Sequence, residues 1–418
     1  MIDLDRFQKA LTGLPHGVEA VEFNAGKHSE VSLRICGGAQ AGGEAFSRAW
    51  LYARAGVGGN TGCVYTERLD DDPSALVAAA AQCAAHVRGG KPISCAGSVR
   101  VACAEPNDSI DDMTEFGVAL EAAAQRLENV SAVKSCSVRR RSIAYHTVNS
   151  MNADNEYEES LYIVSLGIEL AGQALRRAQA NTTVYAKTLS ELNVADVAQS
   201  AREKAALRGL AAALEPRPVR SGSQDAVLLS DVAAAMMLTA WMGIVGAHVN
   251  AGLAIYPFDP ACVVRPRQTF PPTWANRAKP TRMDLPAGGV LERPANPQGN
   301  ALVCSTPTRL FIKPGPDSVK NLIAGMENGM LVTDAYDVIH AVNPANGQFE
   351  IICSGIVYEA GRPVGAFDQL TMSGNMQDLF RNIKGVANDI EHHEFMNKNY
   401  AYGSPSIRVG DMMFSCAR

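Results

Sequence analysis

The chain has 418 residues, of which 47% are hydrophobic, and its formal net charge is −5. This length predicts two or three domains, and the acidic balance argues against a nucleic-acid binder, which would usually carry a strong basic excess. The ten cysteines are scattered along the chain, which excludes C-x-x-C redox pairs and zinc knuckles and suits a reducing cytoplasm.

The first half of the sequence predicts a mixture of helices and strands. Asp72 followed by Pro73 is a helix start, because the carboxylate can cap the helix and proline suits its first turn. Asn193 is predicted to cap a second, long helix that extends to residue 214. Further elements follow from hydrophobic periodicity: helices over 3–14 and 112–128, and strands over 29–38, 45–56 and within 142–187.

Two short stretches of the first half could be mistaken for functional motifs. The glycine-rich 56–62, "GVGGNTG", lacks the spacing of a dinucleotide or phosphate loop, so a tight connection between strands is expected. The run Arg139, Arg140, Arg141 is the only basic cluster, and we expect it at a solvated strand edge or turn.

Residues 215–224 combine proline, glycine and serine and indicate a domain boundary. Beyond it a buried strand over 225–230 leads into an apolar helix capped by Asp231. The segment 257–300 contains nine prolines, and a loop of this length is expected to line a site or face a partner. The remaining elements are two helices over 317–329 and 375–385, ended by Gly329 and Gly385, and two hairpin turns at Asn346-Gly347 and Ala360-Gly361.

These elements predict an α+β fold. An N-terminal mixed α/β domain over residues 1–220 is followed by a β-rich C-terminal domain over 221–418, with curved antiparallel sheets and inserted helices. The start of the chain is acidic and amphipathic rather than a signal sequence, and the apolar 233–249 is short and interrupted for a membrane span. We therefore expect a cytoplasmic protein that binds neither membranes nor nucleic acid.

The stretch "DIEHHEFMNKN" at 389–399 opens like the zinc-protease motif H-E-x-x-H. That motif works because histidines four residues apart share one helical face and can both reach a zinc ion. The second histidine would have to be residue 397, which is Asn397. His392 and His393 are adjacent and point in different directions on any regular element, so a polar, partly exposed segment is favoured over a metal site.

The C-terminal motifs together resemble the TldD/PmbA family, often named for modulation of DNA gyrase. The resemblance runs over nearly the whole chain and is carried by "LIAGMENGMLVTD" (322–334), "NPANGQFEIICSGIVYEAGRPV" (343–364), "LTMSGNMQDLFRNIKGVAND" (370–389) and "YGSPSIRVGDM" (402–412). The N-terminal half is also similar, in 58–84 and 148–160.

The family resemblance implies a cytosolic two-chain metalloprotease that cleaves peptides or unfolded segments. One subunit type holds zinc with H-E-x-x-x-H on a helix and a cysteine near the C-terminus, whereas the TldE/PmbA type has lost these residues. Here Leu238 and Thr239 stand at the first His-Glu and Gly243 at the second histidine, and 395–405 contains no cysteine. The chain thus resembles the zinc-free type, with no catalytic or metal residue of its own.

This resemblance makes a zinc-bearing TldD-like subunit the expected partner in a heterodimer, and zinc is expected in that partner rather than in this chain. An extended peptide is the expected substrate, and Tyr402, Gly403, Ser404 and Pro405 are candidates to line its path. Two alternatives stay open: a homo-oligomeric peptide-binding or scaffold protein without a protease partner, and an autonomous hydrolase with an unrecognised Cys/His or His/Glu site.

Overall fold

A computed structural model describes residues 2–87, 93, 99–101, 108–171, 178–244, 264–266, 280–285, 289–294, 309–343, 346–395 and 400–416. The α-helices in these ranges are α1 Asp5–Ala10, α2 Pro73–Ala84, α3 Ile110–Gln125, α4 Val194–Ala213, α5 Ser230–Ile244, α6 Val319–Ala324 and α7 Met376–Arg381. Among them, none combines the length and the apolar character needed to cross a bilayer.

The first sheet is built from the N-terminal half. Its seven strands are β1 Ala20–Cys36, β2 Ala39–Val57, β3 Asn60–Thr66, β4 Val99–Val101, β5 Val130–Asn149, β6 Asp154–Leu170 and β7 Gln179–Ala186. They are ordered β3-β2-β1-β5-β6-β4, and β7 also pairs with β6. Long antiparallel hairpins make up most of the sheet because the chain reverses directly between β1 and β2 and between β5 and β6.

Two hydrophobic clusters hold helices against this sheet. One joins α3 and α4 to β1, β5, β6 and β7, with Met113, Leu120, Tyr162 and Ala201 among its buried members. The other joins α1 and α2 to β1 and β2 around Phe7 and Phe23, whose rings meet edge to face with centroids 4.9 Å apart.

The second sheet is built from the C-terminal half and closes on itself. Its strands are β8 Gly222–Leu228, β13 Asn328–Tyr336, β14 Gln348–Glu359, β15 Arg362–Asn375, β16 Ile383–Val386 and β19 Ile407–Cys416. They are ordered β15-β14-β13-β8-β19-β16, and a further pairing of β15 with β19 closes a ring. Alternate residues of its strands pack against α5 and α7 on one face and α4 and α6 on the other.

A third, smaller sheet lies against α5. Its order is β17-β18-β12-β9, with β17 Glu391–Phe395, β18 Tyr400–Ser404, β12 Arg309–Ile312 and β9 Val264–Pro266. β18 pairs antiparallel with β17 and parallel with β12. A separate hairpin joins β10 Pro280–Leu285 to β11 Gly289–Pro294.

The predicted α+β class is confirmed, with a β-rich C-terminal half. Both predicted helix starts are confirmed, because the Asp72 carboxylate accepts from Ser74 and Ala75 and the Asn193 side chain accepts from the Ala195 amide. The first sheet ends at Ala186 and the second begins at Gly222, with α4 between them. The division into domains at residue 220 stays a prediction.

Two of the predicted tight turns, at 56–62 and at Ala360-Gly361, are confirmed. Gly58 and Gly59 have φ of +57° and +76° and connect β2 to β3, so that Val57 pairs with Asn60. Ala360 and Gly361 have φ of +49° and +71° and connect β14 to β15. Both connections have the two positive-φ residues of a type I′ turn, whose twist matches that of the flanking strands.

Two helix ends and the proline-rich segment differ from the sequence prediction. α6 ends at Ala324 and α7 at Arg381, so the predicted stop residues Gly329 and Gly385 lie within strands β13 and β16. Both helices are shorter because strand pairing begins soon after each of them. Of the segment 257–300, the structure describes β9, β10 and β11, whereas the rest of the predicted loop lies outside the described residues.

Candidate functional site

Helix α5 occupies the place in the chain where the family resemblance implies a zinc-binding helix. It follows β8 directly, and it packs against β18 and β17. Leu238 is 1% exposed and belongs to the core of the C-terminal half. Thr239 is 4% exposed, and its hydroxyl donates to the Met236 carbonyl oxygen at 2.7 Å. Both positions are therefore filled by side chains that serve packing.

The residues at these positions do not fit a zinc ion. Leu238 offers no donor atom, and the Thr239 hydroxyl already faces the Met236 carbonyl oxygen and, at 3.6 Å, the Met376 sulfur. Zinc in proteins takes thiolate, imidazole or carboxylate ligands, and neither side chain supplies one. Gly243 lies in the same helix and has no side chain to contribute. Beyond Thr239, the structure describes only the backbone of α5.

The predicted peptide-lining residues lie on and just after β18, inside the chain. Gly403, Ser404 and Pro405 are buried, and Tyr402 is partly buried. The Ser404 hydroxyl donates to the Pro405 carbonyl oxygen at 2.6 Å. Both edges of β18 are paired, so this strand offers no free edge to an extended peptide. A role of Tyr402–Pro405 in lining a peptide path stays a prediction.

The segment "EHHEF" corrects the prediction of a polar, partly exposed loop. It is strand β17, and both Glu391 and His392 are 3% exposed. The His392 ring stacks on Tyr185 of β7, with centroids 4.9 Å apart and planes at 10°. The His393 ring stacks on Tyr402, with centroids 5.4 Å apart and planes at 19°. Aromatic contacts to both sides thus bury the segment between the two halves of the chain.

Glu391 forms a buried ion pair with Lys204 of α4. The Lys204 ammonium lies 2.7 Å from the Glu391 carboxylate, and the two side chains are 3% and 4% exposed. The same carboxylate accepts from the Thr183 amide at 2.8 Å, and Lys204 also donates to the Asn181 carbonyl oxygen at 2.8 Å. Burial raises the pKa of Glu391 to about 7, although the neighbouring Lys204 charge opposes this shift.

A second ion-pair cluster corrects the prediction for the basic run. Arg139 and Arg141 lie in β5, in the middle of the first sheet, rather than at a solvated edge or turn. The Arg141 side chain is 2% exposed and donates to Glu30 of β1 at 2.9 Å and to Glu394 of β17. Arg139 lies 3.2 Å from the same Glu394 carboxylate. Arg141 is buried and Arg139 partly buried because carboxylates from distant strands compensate their charges.

A third cluster surrounds the start of α5. Arg208 of α4 donates to Asp231 and lies 3.2 Å from Asp334 of β13. Asp231 is partly buried, and the nearby Lys204 and Arg208 charges outweigh the effect of its desolvation and lower its pKa. Burial lowers the pKa of His393, and its Nε2 has no hydrogen-bond partner among the described residues. Neutral imidazole is therefore the favoured form at neutral pH.

One group of potential metal ligands escaped the sequence analysis. Within the described ranges, His146, Asp154 and Glu156 are the one set of histidine, cysteine and acidic residues whose ligand atoms lie within 4.8 Å of one another. It lies on β5 and β6, away from α5. The two ring nitrogens of His146 contact the Ile2 carbonyl oxygen and the Asp154 carboxylate, each at 2.8 Å. Both nitrogens therefore already form hydrogen bonds within the fold. The pairing of β5 with β6 that assembles it could have been found from their strand patterns.

The region around α5, β17 and β18 is therefore a packed, charge-compensated junction. In each of the three clusters, at least one ion pair joins a residue of α4 or the first sheet to one beyond residue 225. These ion pairs link the two halves of the chain to each other. Sequence reasoning identified the segment 389–399 but missed its partners Lys204, Arg139 and Arg141.

Comparison with protein families agrees with the resemblance seen in the sequence. Residues 279–416 match the family model described as the PmbA/TldA metallopeptidase C-terminal domain. The C-terminal third of the chain is therefore a PmbA/TldD metallopeptidase-like domain. A search of the curated proteins found no significant match.

Solved structures extend the similarity in fold to the whole chain. A protein described as a candidate modulator of a DNA gyrase from Thermotoga maritima superposes with a TM-score of 0.71 at 18% identity, covering 99% of this chain and 100% of that one. A similarly described protein from Bacteroides thetaiotaomicron gives 0.67 at 18%, covering 98% and 97%. TldE from Thermococcus kodakarensis gives 0.68 at 14%, covering 99% of both chains. Together with the family model, these matches confirm the TldD/PmbA resemblance.

Proposed function

We propose that this chain is a non-catalytic, TldE/PmbA-like subunit of a two-chain zinc metalloprotease that cleaves peptides or unfolded segments. The observation that carries the proposal is that two side chains of α5 are packed in the protein interior. Leu238 and Thr239, at the positions of the implied His-Glu pair, are buried in packing contacts and offer zinc no imidazole or carboxylate. The zinc ion and the attacking water would then belong to a TldD-like partner in the cytoplasm.

The C-terminal half offers a surface for such a partner. Tyr336 and Ile352 are 47% and 45% exposed and are direct neighbours across β13 and β14. Met413 on β19 is 44% exposed and lies on the same sheet. It pairs with Ser373 of β15, and Ser373 pairs with Glu350, two residues before Ile352. Large apolar side chains exposed on one sheet are a common feature of protein interfaces.

The experiment mixes this chain with a zinc-bearing relative from the same source. Light scattering measures the mass of the mixture, elemental analysis measures zinc in each purified chain, and cleavage of an unstructured peptide is followed with and without chelator. We expect a mixed complex, stoichiometric zinc only in the relative, and chelator-sensitive cleavage that requires both chains. Two chains that never associate, or a chain that alone cleaves as fast as the mixture, would overturn the proposal.

A pair of variants tests the proposed surface. Ile352→Glu places a charge among the exposed apolar side chains and is expected to weaken the mixed complex at least tenfold. Gln348→Glu is the matched control, because Gln348 is exposed on the same strand, four residues away. It should leave association unchanged. If both variants associate like the parent chain, the interface lies elsewhere on the chain.

A further inference from the structure

Strand β2 leaves one of its edges unpaired over its first two thirds. β1 pairs with β2 from Ala39 to Gly56, whereas β3 pairs only with the part from Leu51 to Val57. No strand within the described ranges pairs with the other edge of residues 39–50, and residues 43–48 are all exposed. Such an edge displays unpaired N–H and C=O groups, which another strand can satisfy.

Two devices that often block strand addition, a proline and a bulge, are missing from the regular part of this edge. It contains no proline, and its one irregularity, between the pairs Gly42–Arg34 and Gln40–Ile35, lies before the regular part 43–49. Gly43, Ala45, Ser47 and Ala49 alternate on one face and are all small. A cavity of about 490 Å³ borders this face, lined in part by Ala45, Ser47, Ser29 and Ser142. Phe46 and Arg140 also line this cavity, but the residues of β2 on this face would present only small side chains to an added strand.

The opposite face of the same stretch is self-complementary. It carries Glu44, Phe46 and Arg48, with Phe46 at the centre and the two charges two residues to either side. When two copies of this strand pair antiparallel about Phe46, Glu44 of each copy stands opposite Arg48 of the other. The two Phe46 rings, each 43% exposed in the single chain, then become direct cross-strand neighbours.

The charges also select this register over its neighbours. A two-fold axis perpendicular to the sheet keeps each side chain on its own face. The possible registers of the two strands therefore differ only in which residue of β2 lies on that axis. Centring on Glu44 or on Arg48 would place like charges directly opposite each other, which is unfavourable. Centring on Ala45 or Ser47 would pair neither charge with its opposite. Only the centre at Phe46 forms two ion pairs.

We propose that the edge of β2 from Gly43 to Ala49 pairs antiparallel with the same edge of a second copy of this chain, with Phe46 on the two-fold axis. The interface would join two seven-stranded sheets into one continuous sheet. In the single chain, Arg48 donates to the Tyr65 hydroxyl at 2.8 Å and lies 2.9 Å from the Glu67 carboxylate. Because the side chains of Arg48 and Glu67 are exposed, Arg48 can also contact Glu44 of the other copy. This interface is separate from the one proposed above with a zinc-bearing relative.

The first test reverses the charges in the full-length chain. Sedimentation equilibrium should show a dimer whose dissociation constant rises on the order of tenfold in Glu44→Arg and in Arg48→Glu, since each change creates two like-charge contacts per dimer. The double variant carrying both changes should restore most of the affinity. A chain that is monomeric throughout, or a dimer indifferent to both single changes, would overturn the proposal.

The second test reads the register. In a background with Cys36, Cys63 and Cys416 replaced by serine, Phe46→Cys should cross-link to its own copy under mild oxidation, because residues directly opposite have Cβ atoms about 4.5–5.5 Å apart. Ala45→Cys is the matched control, since its own copy lies diagonally at about 7–8 Å. Cross-linking through residue 45 faster than through residue 46 would refute this register. An added unstructured peptide that breaks the dimer by binding the same edge would show that a peptide is the occupant instead. The Glu44→Arg variant should bind the zinc-bearing relative as tightly as the parent chain does. This result would show that the self-association interface differs from the interface with the relative.

Discussion

Replacing Lys204 with methionine tests whether the buried ion pair with Glu391 holds the two halves of the chain together. Lys204 is 4% exposed, and methionine keeps most of its apolar stem while removing the charge. The change leaves Glu391 without its cationic partner, while the Thr183 amide still donates to it. Removing one member of a buried pair costs about 3–5 kcal/mol, because an uncompensated charge remains in the interior.

The cost should depend on pH in a stated direction. Burial raises the pKa of Glu391 from 4.5 to about 7 in the folded chain, so the folded state binds the proton more tightly than the unfolded state. Through this group, stability is therefore greatest below about pH 4.5, falls as pH rises, and levels off above about 7. Without Lys204 the carboxylate is still harder to ionise, so the variant loses more stability at pH 8 than at pH 5.

The assay is urea unfolding of the parent chain and of Lys204→Met at pH 5 and pH 8. We expect a loss of about 3–5 kcal/mol at pH 8, and roughly 1–2 kcal/mol at pH 5, where a protonated Glu391 has lost only hydrogen bonds. The double variant Lys204→Met with Glu391→Gln is the control, because it removes both charges and should show little extra loss at high pH. Equal losses at the two pH values would refute the reasoning.

Two further variants probe the fold around this junction. Arg141→Ala should lower the free energy of unfolding by about 3–5 kcal/mol, because Glu30 and Glu394 lose their most buried cation. Thermal unfolding measures this loss, with the exposed Arg68→Ala as the control. A loss no larger than that of Arg68→Ala would contradict the account of a buried ion pair. Gly62→Ala should lower the melting temperature, because its new Cβ would lie 2.0 Å from the Ala80 carbonyl oxygen of α2. Gly222→Ala is its control, since a Cβ there meets nothing within 4 Å, and equal melting temperatures for the two variants would refute the predicted clash.

The features that could be predicted from the sequence are those with local causes. The caps Asp72 and Asn193 bond to amides two or three residues away, so the residues that make the contact stand side by side in the sequence. The turn at Ala360-Gly361 is equally local, because both of its positive-φ residues are adjacent. Strand existence and turn positions in the C-terminal half followed from the same kind of signal.

The features that could not be predicted depend on contacts between distant residues. Arginine is a residue type that is usually exposed, and the burial of Arg141 depends on Glu30 and Glu394, which are 111 and 253 residues away. The same holds for Glu391, whose partner Lys204 is 187 residues distant. A single sequence contains no signal that pairs such residues. For the same reason the sequence predicts a polar, partly exposed segment around the histidines of β17, although aromatic rings from other strands stack on both of them.

The burial of α5 has a consequence for where this chain can act. A catalytic zinc site needs ligands and also an open coordination position for water or substrate. Here Leu238 and Thr239 face packed core, so restoring histidine and glutamate at these positions would place polar groups in a space already filled by neighbouring side chains. The packing around these two positions would therefore have to change before a zinc site could form there. Under the proposed function, this chain would contribute to proteolysis through surfaces that bind other polypeptides. Within the described ranges, the exposed apolar residues of β13 and β14 and the unpaired edge of β2 are two surfaces with the chemistry to do so.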